Sequence, residues 1–173
     1  LILDALAHSD FSDRVQLTLV GTGPREARLR RLAEKMPYPV DFLKPNDEEL
    51  IALYRNADLF VHAGESELEG MSVLEAMAAG NTVVVSDSAD SACAALIHEA
   101  NARFSMGDPA DLAERIDYWM DHPQLRLNQG RFNRLFAQAH AHDKTSDRLM
   151  SFYEDVLSEE PAEAVRPRLT GAL

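Results

Sequence analysis

A single cysteine among 173 residues, Cys93, rules out an internal disulfide and suits a reducing compartment. No histidine or aspartate constellation surrounds it, so Cys93 reads as a small buried hydrophobe rather than a nucleophile. Apolar runs are short, and none approaches the ~18 residues needed to cross a bilayer. Positive charge is scarce: 17 Lys and Arg stand against 29 Asp and Glu, for a net charge of −12. That balance argues against a nucleic-acid or anionic-membrane surface, which would need cations to bind it. A small anionic ligand remains open, because oriented backbone N–H groups outweigh a distant net charge at short range. The sequence has no internal repeat, no low-complexity block, no signal peptide, and no Asp or His cluster suited to a metal. It opens at Leu1 within what reads as a helix already under way, the expectation for a piece of a longer protein.

With 46% hydrophobic and 27% charged residues, the chain reads as one soluble globular domain. Val15, Leu17, Leu19 and Val20 predict a strand stopped by Gly21-Thr22-Gly23-Pro24, with Pro24 suited to the first turn of a helix. Leu29, Leu32 and Ala33 give that helix an apolar face. Arg25, Arg28, Arg30, Arg31 and Lys35 line its wet side, with Glu26 and Glu34 as intrahelical partners. A second strand is expected over 40–43, and Asn46 caps a helix over 47–55 whose inner side is Leu50, Leu53 and Tyr54. A strand over 59–61, a helix over 71–79 ended by Gly80, and a strand over 82–85 follow. Next come a helix over 91–100 and a short strand at 103–105.

Asp108, Pro109 and Asp111 start a helix with the stripe Leu112, Ile116, Trp119 and Met120. Helices over 125–140 and 146–157 are expected around Phe132, Leu135, Phe136, Leu149, Phe152 and Tyr153. One domain at 1–157 and a frayed, aperiodic tail at 158–173 complete the division. Strands alternating with helices imply a parallel sheet with helices on both faces, and ligands at the carboxyl ends of the strands. Three such ends carry noteworthy loops: Gly21-Thr22-Gly23, Leu43-Lys44 and 62–70.

The most informative stretch is 65–80, ESELEGMSVLEAMAAG, a polar turn and helix between two apolar runs. Glu67 and Glu75 stand eight positions apart, with Gly70 and a helix start between them. At ~1.5 Å rise per helical residue and ~3.3 Å per extended one, their carboxylates lie roughly 10 Å apart, too far to share a proton. They suit a ligand with hydroxyls at both ends and an anion between. The free amides of Gly70, Met71, Ser72 and Val73 would face that anion, and glycine at 70 would let it approach the backbone. Each charge-assisted bond to a hydroxyl contributes roughly 1.5–3 kcal/mol. An ordinary solvated acidic helix start is the competing reading. The combination of Glu67, Gly70 and Glu75 in one strand–turn–helix–strand frame weighs against it.

This block resembles the E-x7-E signature of the GT-B retaining glycosyltransferases, family 4 type. Glu67-Leu-Glu-Gly-Met-Ser-Val-Leu-Glu75 occupies the signature, followed by Ala-Met-Ala-Ala-Gly80 and Thr-Val-Val-Val-Ser86. Leu17-Thr-Leu-Val-Gly-Thr-Gly-Pro24 and Asp58-Leu-Phe-Val61 are similar to other parts of the family's carboxy-terminal domain. The resemblance implies a Rossmann-like α/β domain, the donor-binding, carboxy-terminal half of a GT-B fold. Glu67 would then hold donor-sugar hydroxyls at the reacting end, and Glu75 the ribose. Amides around Gly70, Met71, Ser72 and Val73 would meet the sugar and diphosphate. Gly21 would form a strand-end turn of the cofactor-type site, and the base would rest near Phe42 and Leu43, mainly on backbone. No metal and no cofactor beyond the nucleotide-diphosphate sugar substrate is implied.

Departures from the family pattern are Leu68-Glu69 for Gly-Phe, Lys44 for Gly, and His62-Ala63 for Pro-Ser. His62 reads as a packed strand-end residue that could touch substrate, and Lys44 as a solvent lysine. The acidic residue at 69 resembles enzymes acting on lipid-linked or surface-polysaccharide acceptors, so a cytoplasmic, peripherally membrane-associated parent is the expectation. The family's first strand of this domain, its Arg and Lys, and its acceptor-binding domain are not in this sequence. The piece alone is therefore expected to be inactive, with two open sheet edges that another segment or chain could cover. The alternatives are a nucleotide-sugar epimerase or sugar-phosphate synthase of the same fold, or a non-catalytic α/β interaction module.

Overall fold

A computed structural model describes residues 1–158 and divides into a compact unit, Leu1–Gln138, and a second from Ala139 onward. In chain order the first unit holds α1 (Ile2–His8), β1 (Leu17–Val20), α2 (Glu26–Ala33), β2 (Val40–Leu43), α3 (Asp47–Asn56) and β3 (Phe60–His62). These are followed by α4 (Met71–Ala79), β4 (Val83–Ser86), β5 (Arg103–Phe104), α5 (Pro109–Asp121) and α6 (Pro123–Ala139), which runs one residue past the unit's boundary. The second unit contains α7 (His142–Ser158). The expected tail lies, from residue 159 on, outside the described residues.

Every strand pair is parallel, as alternating strands and helices require. The strands form two sheets, β1-β2 and β3-β4-β5. β4 reads Val83-Val84-Val85-Ser86 because it lies in the middle of its sheet and is covered on both faces, and all four residues are buried. β1 and β3 are half-buried, and each is hydrogen-bonded to a strand on one side only. One core cluster runs through the unit from Leu3 and Leu6 of α1 to Trp119 of α5. Tyr38 Oη donates to Leu3 O at 2.6 Å, and Ser9 Oγ to Asp117, fastening α1 at both ends.

The helix starts follow their caps. Asn46 and Glu49 exchange hydrogen bonds in a complete capping box before α3, and Asp108 accepts from the Ala110 and Asp111 amides before α5. The corner between α4 and β4 is tied by side-chain hydrogen bonds. Asn81 Nδ2 donates to Tyr54 O at 2.7 Å, Asn133 Nδ2 to Asn81 O at 2.9 Å, and Thr82 Oγ1 to Arg126 O at 2.6 Å. A Cβ on Gly130 would stand 2.1 Å from Gly80 O, so glycine is what lets α6 approach this corner.

Three expectations are corrected. Residues 91–100 form no α-helix; they hold a 3-10 turn, Ala92–Leu96, with a second at Ala100–Ala102. Ser91 and Glu99 side chains each accept an amide two residues on, a local bond that competes with helix propagation. In α6, Phe132 (52% exposed) and Leu135 (66%) lie outside the core, while Gly130, Asn133 and Ala137 are buried. Close backbone approach at Gly130 decides which face packs. In α7, Leu149, Phe152 and Tyr153 are likewise exposed. Leu29 and Leu32 of α2 are only partly covered, and Arg30 pairs with Glu26 at 2.8 Å and lies over the Phe42 ring at 4.4 Å. Among the described residues no helix is long and apolar enough to cross a membrane.

Candidate functional site

The loop between β3 and α4 is built against the loop after β4. Ser86 Oγ donates to Gly64 O at 2.6 Å, Glu67 N to Asp90 O at 3.2 Å, and Ala92 N to Glu67 O at 2.8 Å. Glu67 and Ser91 thus form an isolated parallel bridge that extends the sheet beyond β4. With its backbone tied on both sides, Glu67 has its side chain left to place. Oε1 accepts long bonds from the Glu69 and Gly70 amides at 3.4 and 3.5 Å, and Oε2 stands 3.8 Å from His62 Nε2. The Glu69 and Gly70 amides, with a smaller contribution from His62, hold this carboxyl below its usual range. It is therefore a fixed anion at neutral pH, fit to accept hydrogen bonds and unfit to donate a proton.

Gly70 is the N-cap of α4 in the left-handed region, φ 70°. A Cβ there would meet Cys93 Sγ and Leu96 Cδ1, each at 3.1 Å. Glycine is thus demanded by backbone conformation and by protein packing, which corrects the expectation that it clears space for a ligand. The four amides expected to be free are corrected too. Gly70 N–H turns to Glu67, and Val73 N–H donates to Gly70 O at 3.0 Å. Among the described residues those of Met71 and Ser72 have no recorded partner, as the unfilled first turn of a helix leaves them. Cys93 is fully buried, and burial pushes its thiol up, in keeping with a packing role.

Glu75 lies one turn into α4, where Tyr54 Oη donates to its Oε2 at 3.1 Å. Glu75 lines a cleft of about 580 Å³ between α3 and α4, with Asp47, Tyr54 and Arg55 on one side and Arg134 on another. Burial, then the adjoining Glu75 carboxylate, raises the Tyr54 phenol to about 12, so it stays a donor. From sequence, Tyr54 reads as part of the inner side of its helix. Nothing in a one-dimensional pattern links positions 54 and 75, whose contact exists only because α3 and α4 lie side by side.

Glu67, Gly70, Met71, Ser72, Val73 and Glu75 therefore share one loop and helix, with the two carboxylates held by different partners. Gly21 follows β1 and Leu43 ends β2, in the other sheet. The Gly21 amide donates to Leu43 O at 3.0 Å, so that carbonyl is engaged, while the Leu43 side chain is exposed. Among the described residues no recorded hydrogen bond or ion pair joins this pair to Glu67 or Glu75. No group of three or more His, Cys, Asp or Glu is placed to hold a metal ion, again among the described residues.

Parallel strands with surrounding helices, and a loop-to-helix turn at a strand's carboxyl end, define a Rossmann-like domain of GT-B type. The chain belongs to the glycosyl transferases group 1 family, whose sequence profile matches residues 1–136. It is 38% identical over 78 residues to a GDP-mannose-dependent alpha-mannosyltransferase of Corynebacterium glutamicum, covering 45% of this chain and 18% of that protein. Over 140 residues it is 29% identical to a D-inositol 3-phosphate glycosyltransferase of Corynebacterium jeikeium, covering 79% of this chain and 33% of that protein. The catalytic domain of a cholesterol-alpha-glucosyltransferase from Helicobacter pylori is structurally similar, with a TM-score of 0.77 at 27% identity. That match covers 80% of this chain and 87% of the other. The chain thus spans a third or less of the length of these two curated relatives.

Proposed function

We propose that this chain is the donor-binding half of a glycosyltransferase that moves a sugar from a nucleotide-diphosphate sugar to an acceptor with retention. The observation that carries the reading is the pairing of Glu67, held by the Glu69 and Gly70 amides, with the Met71 and Ser72 amides at the start of α4, which have no partner among the described residues. Met71 and Ser72 N–H groups, at the positive end of the helix, receive the diphosphate. Glu67 accepts from donor-sugar hydroxyls, and Glu75, steadied by Tyr54, from the ribose. Gly21 and Leu43 supply backbone around the base. Stabilising charge on the departing diphosphate is the catalytic contribution of the helix start, and Glu67 contributes orientation.

The acceptor, held by a separate domain, is lipid-linked or a surface polysaccharide, in keeping with the acidic residue at 69. A further strand, from the same protein or a partner, covers the unpaired edges of β1 and β3. Calorimetry on the intact protein with UDP-, GDP- and ADP-sugars tests the reading. One class is expected to bind, and Glu75→Ala to weaken it by about tenfold to a hundredfold, as loss of a charge-assisted bond implies. The exposed control Glu114→Ala should leave affinity unchanged. Failure of the wild type to bind any of the three classes ends the proposal.

A further inference from the structure

His62 closes β3 with 16% of its side chain exposed. Its Nδ1 is buried and has no hydrogen-bond partner among the described residues, while Nε2 faces Glu67 Oε2 at 3.8 Å. A buried nitrogen without a partner destabilises a fold, and an apolar side chain of similar size would fill a strand end without that penalty. The ring also constrains its surroundings. A Cβ at residue 64 would stand 2.6 Å from His62 Cε1 and 3.2 Å from Nε2, so the ring's seat requires Gly64. Ser86 holds the Gly64 carbonyl, fixing the loop against which the ring leans. Three residues later, Glu67 is tied through its own N–H and C=O, which leaves its side-chain torsions as the remaining freedom. The two amide bonds to Oε1 are long, and His62 is the protein group recorded against Oε2.

We infer that His62 is a positioning residue for Glu67: the imidazole selects the side-chain conformation in which the carboxylate meets a donor-sugar hydroxyl. The inference rests on the glycosyl-transfer reading and deepens it. At 3.8 Å the contact exceeds a direct hydrogen bond, so the coupling is the electrostatic attraction of the polar Nε2 end of the ring for the carboxylate. Another side chain with a donor at the Nε2 position can therefore replace it, and an apolar one cannot.

The test uses the intact protein titrated with UDP-glucose and GDP-mannose, each paired with UDP or GDP alone. His62→Leu is expected to weaken the bound sugar nucleotide by about tenfold while leaving the free diphosphate within about twofold, and His62→Gln to recover most of the loss. Leucine packs at least as well as the ring, so selective loss of the sugar contact with rescue by glutamine is not the pattern of a packing defect. A second readout needs no ligand: the ¹³C carboxyl resonance of Glu67, assigned with Glu67→Gln, moves in His62→Leu and stays near its wild-type position in His62→Gln. If His62→Leu does not fold, Gly64→Ala, which displaces the ring without changing its chemistry, takes its place in both measurements. Unchanged sugar-nucleotide affinity overturns the inference, whatever the resonance does. A wild type that binds neither sugar nucleotide defeats the glycosyl-transfer reading for these donors. The carboxyl resonance then decides by itself whether His62 acts on Glu67, and an unmoved signal overturns the coupling.

Discussion

Tyr54 and Tyr38 each bury a phenol whose hydroxyl has one acceptor, the Glu75 carboxylate and the Leu3 carbonyl respectively. Burial first, and a nearby carboxylate second, raises both from 10.0 to about 12. A raised pKa favours the protonated form in the folded state, so the unfolded chain ionises first. The resulting stabilisation is complete below pH 10.0 and is lost as the pH rises toward about 12. Urea midpoints measured across that window should fall for the wild type and fall less steeply for a Tyr38→Phe, Tyr54→Phe double variant. Glu67 has the opposite sign. The Glu69 and Gly70 amides hold its carboxyl below the usual range, so its contribution is present above that range and disappears as acid protonates the folded form. Glu67→Gln should flatten the acid limb of the stability profile, read by urea denaturation at stepped pH. Of these side chains, Glu67 and Glu75 stand out in the sequence by spacing alone. Tyr54 does not, because its partner lies 21 positions away and is supplied by helix packing.

Elements divide by whether their signals are local. Asn46, and Asp108 with Pro109, announce helix starts within four residues, and both starts form there. Removing the first cap, Asn46→Ala, should cost about 1 kcal/mol by chemical denaturation. It should also loosen α3, on which Tyr54 is carried. Elements whose ends depend on distant contacts were not legible. Residues 91–100 read as a helix, yet Ser91 and Glu99 divert amides into local turns, and Ala92 is tied back to Glu67. The α6 face is set by the meeting of Gly130 and Gly80, which no periodicity announces. A Cβ at 130 would stand 2.1 Å from a carbonyl oxygen, so backbone must shift to admit it. Gly130→Ala is therefore expected to destabilise the fold by roughly 1–3 kcal/mol or more, checked by guanidinium unfolding.

For the molecule as a whole, the proposed ligand would seat on α4 and its preceding loop, which are braced by β3, α3 and the loop after β4, and would so favour the folded unit. A sugar nucleotide at a hundred times its dissociation constant should add about 2.7 kcal/mol of apparent stability. A thermal-shift series should show that gain in the wild type and a smaller one in Glu75→Ala. By itself the sequence determined the alternation of parallel strands and helices, the continuous burial of β4 and the Glu67–Glu75 frame, because apolar periodicity, caps and a short signature act over a few residues. Only the tertiary structure decided that Gly70 is filled against Cys93 and Leu96, and that two of the four expected amides are already engaged. It alone placed Tyr54 on Glu75 and His62 beside Glu67, and separated the strands into two sheets. Each of these depends on which distant segments share a boundary. That is a property of close packing in three dimensions, and no spacing along the chain encodes it.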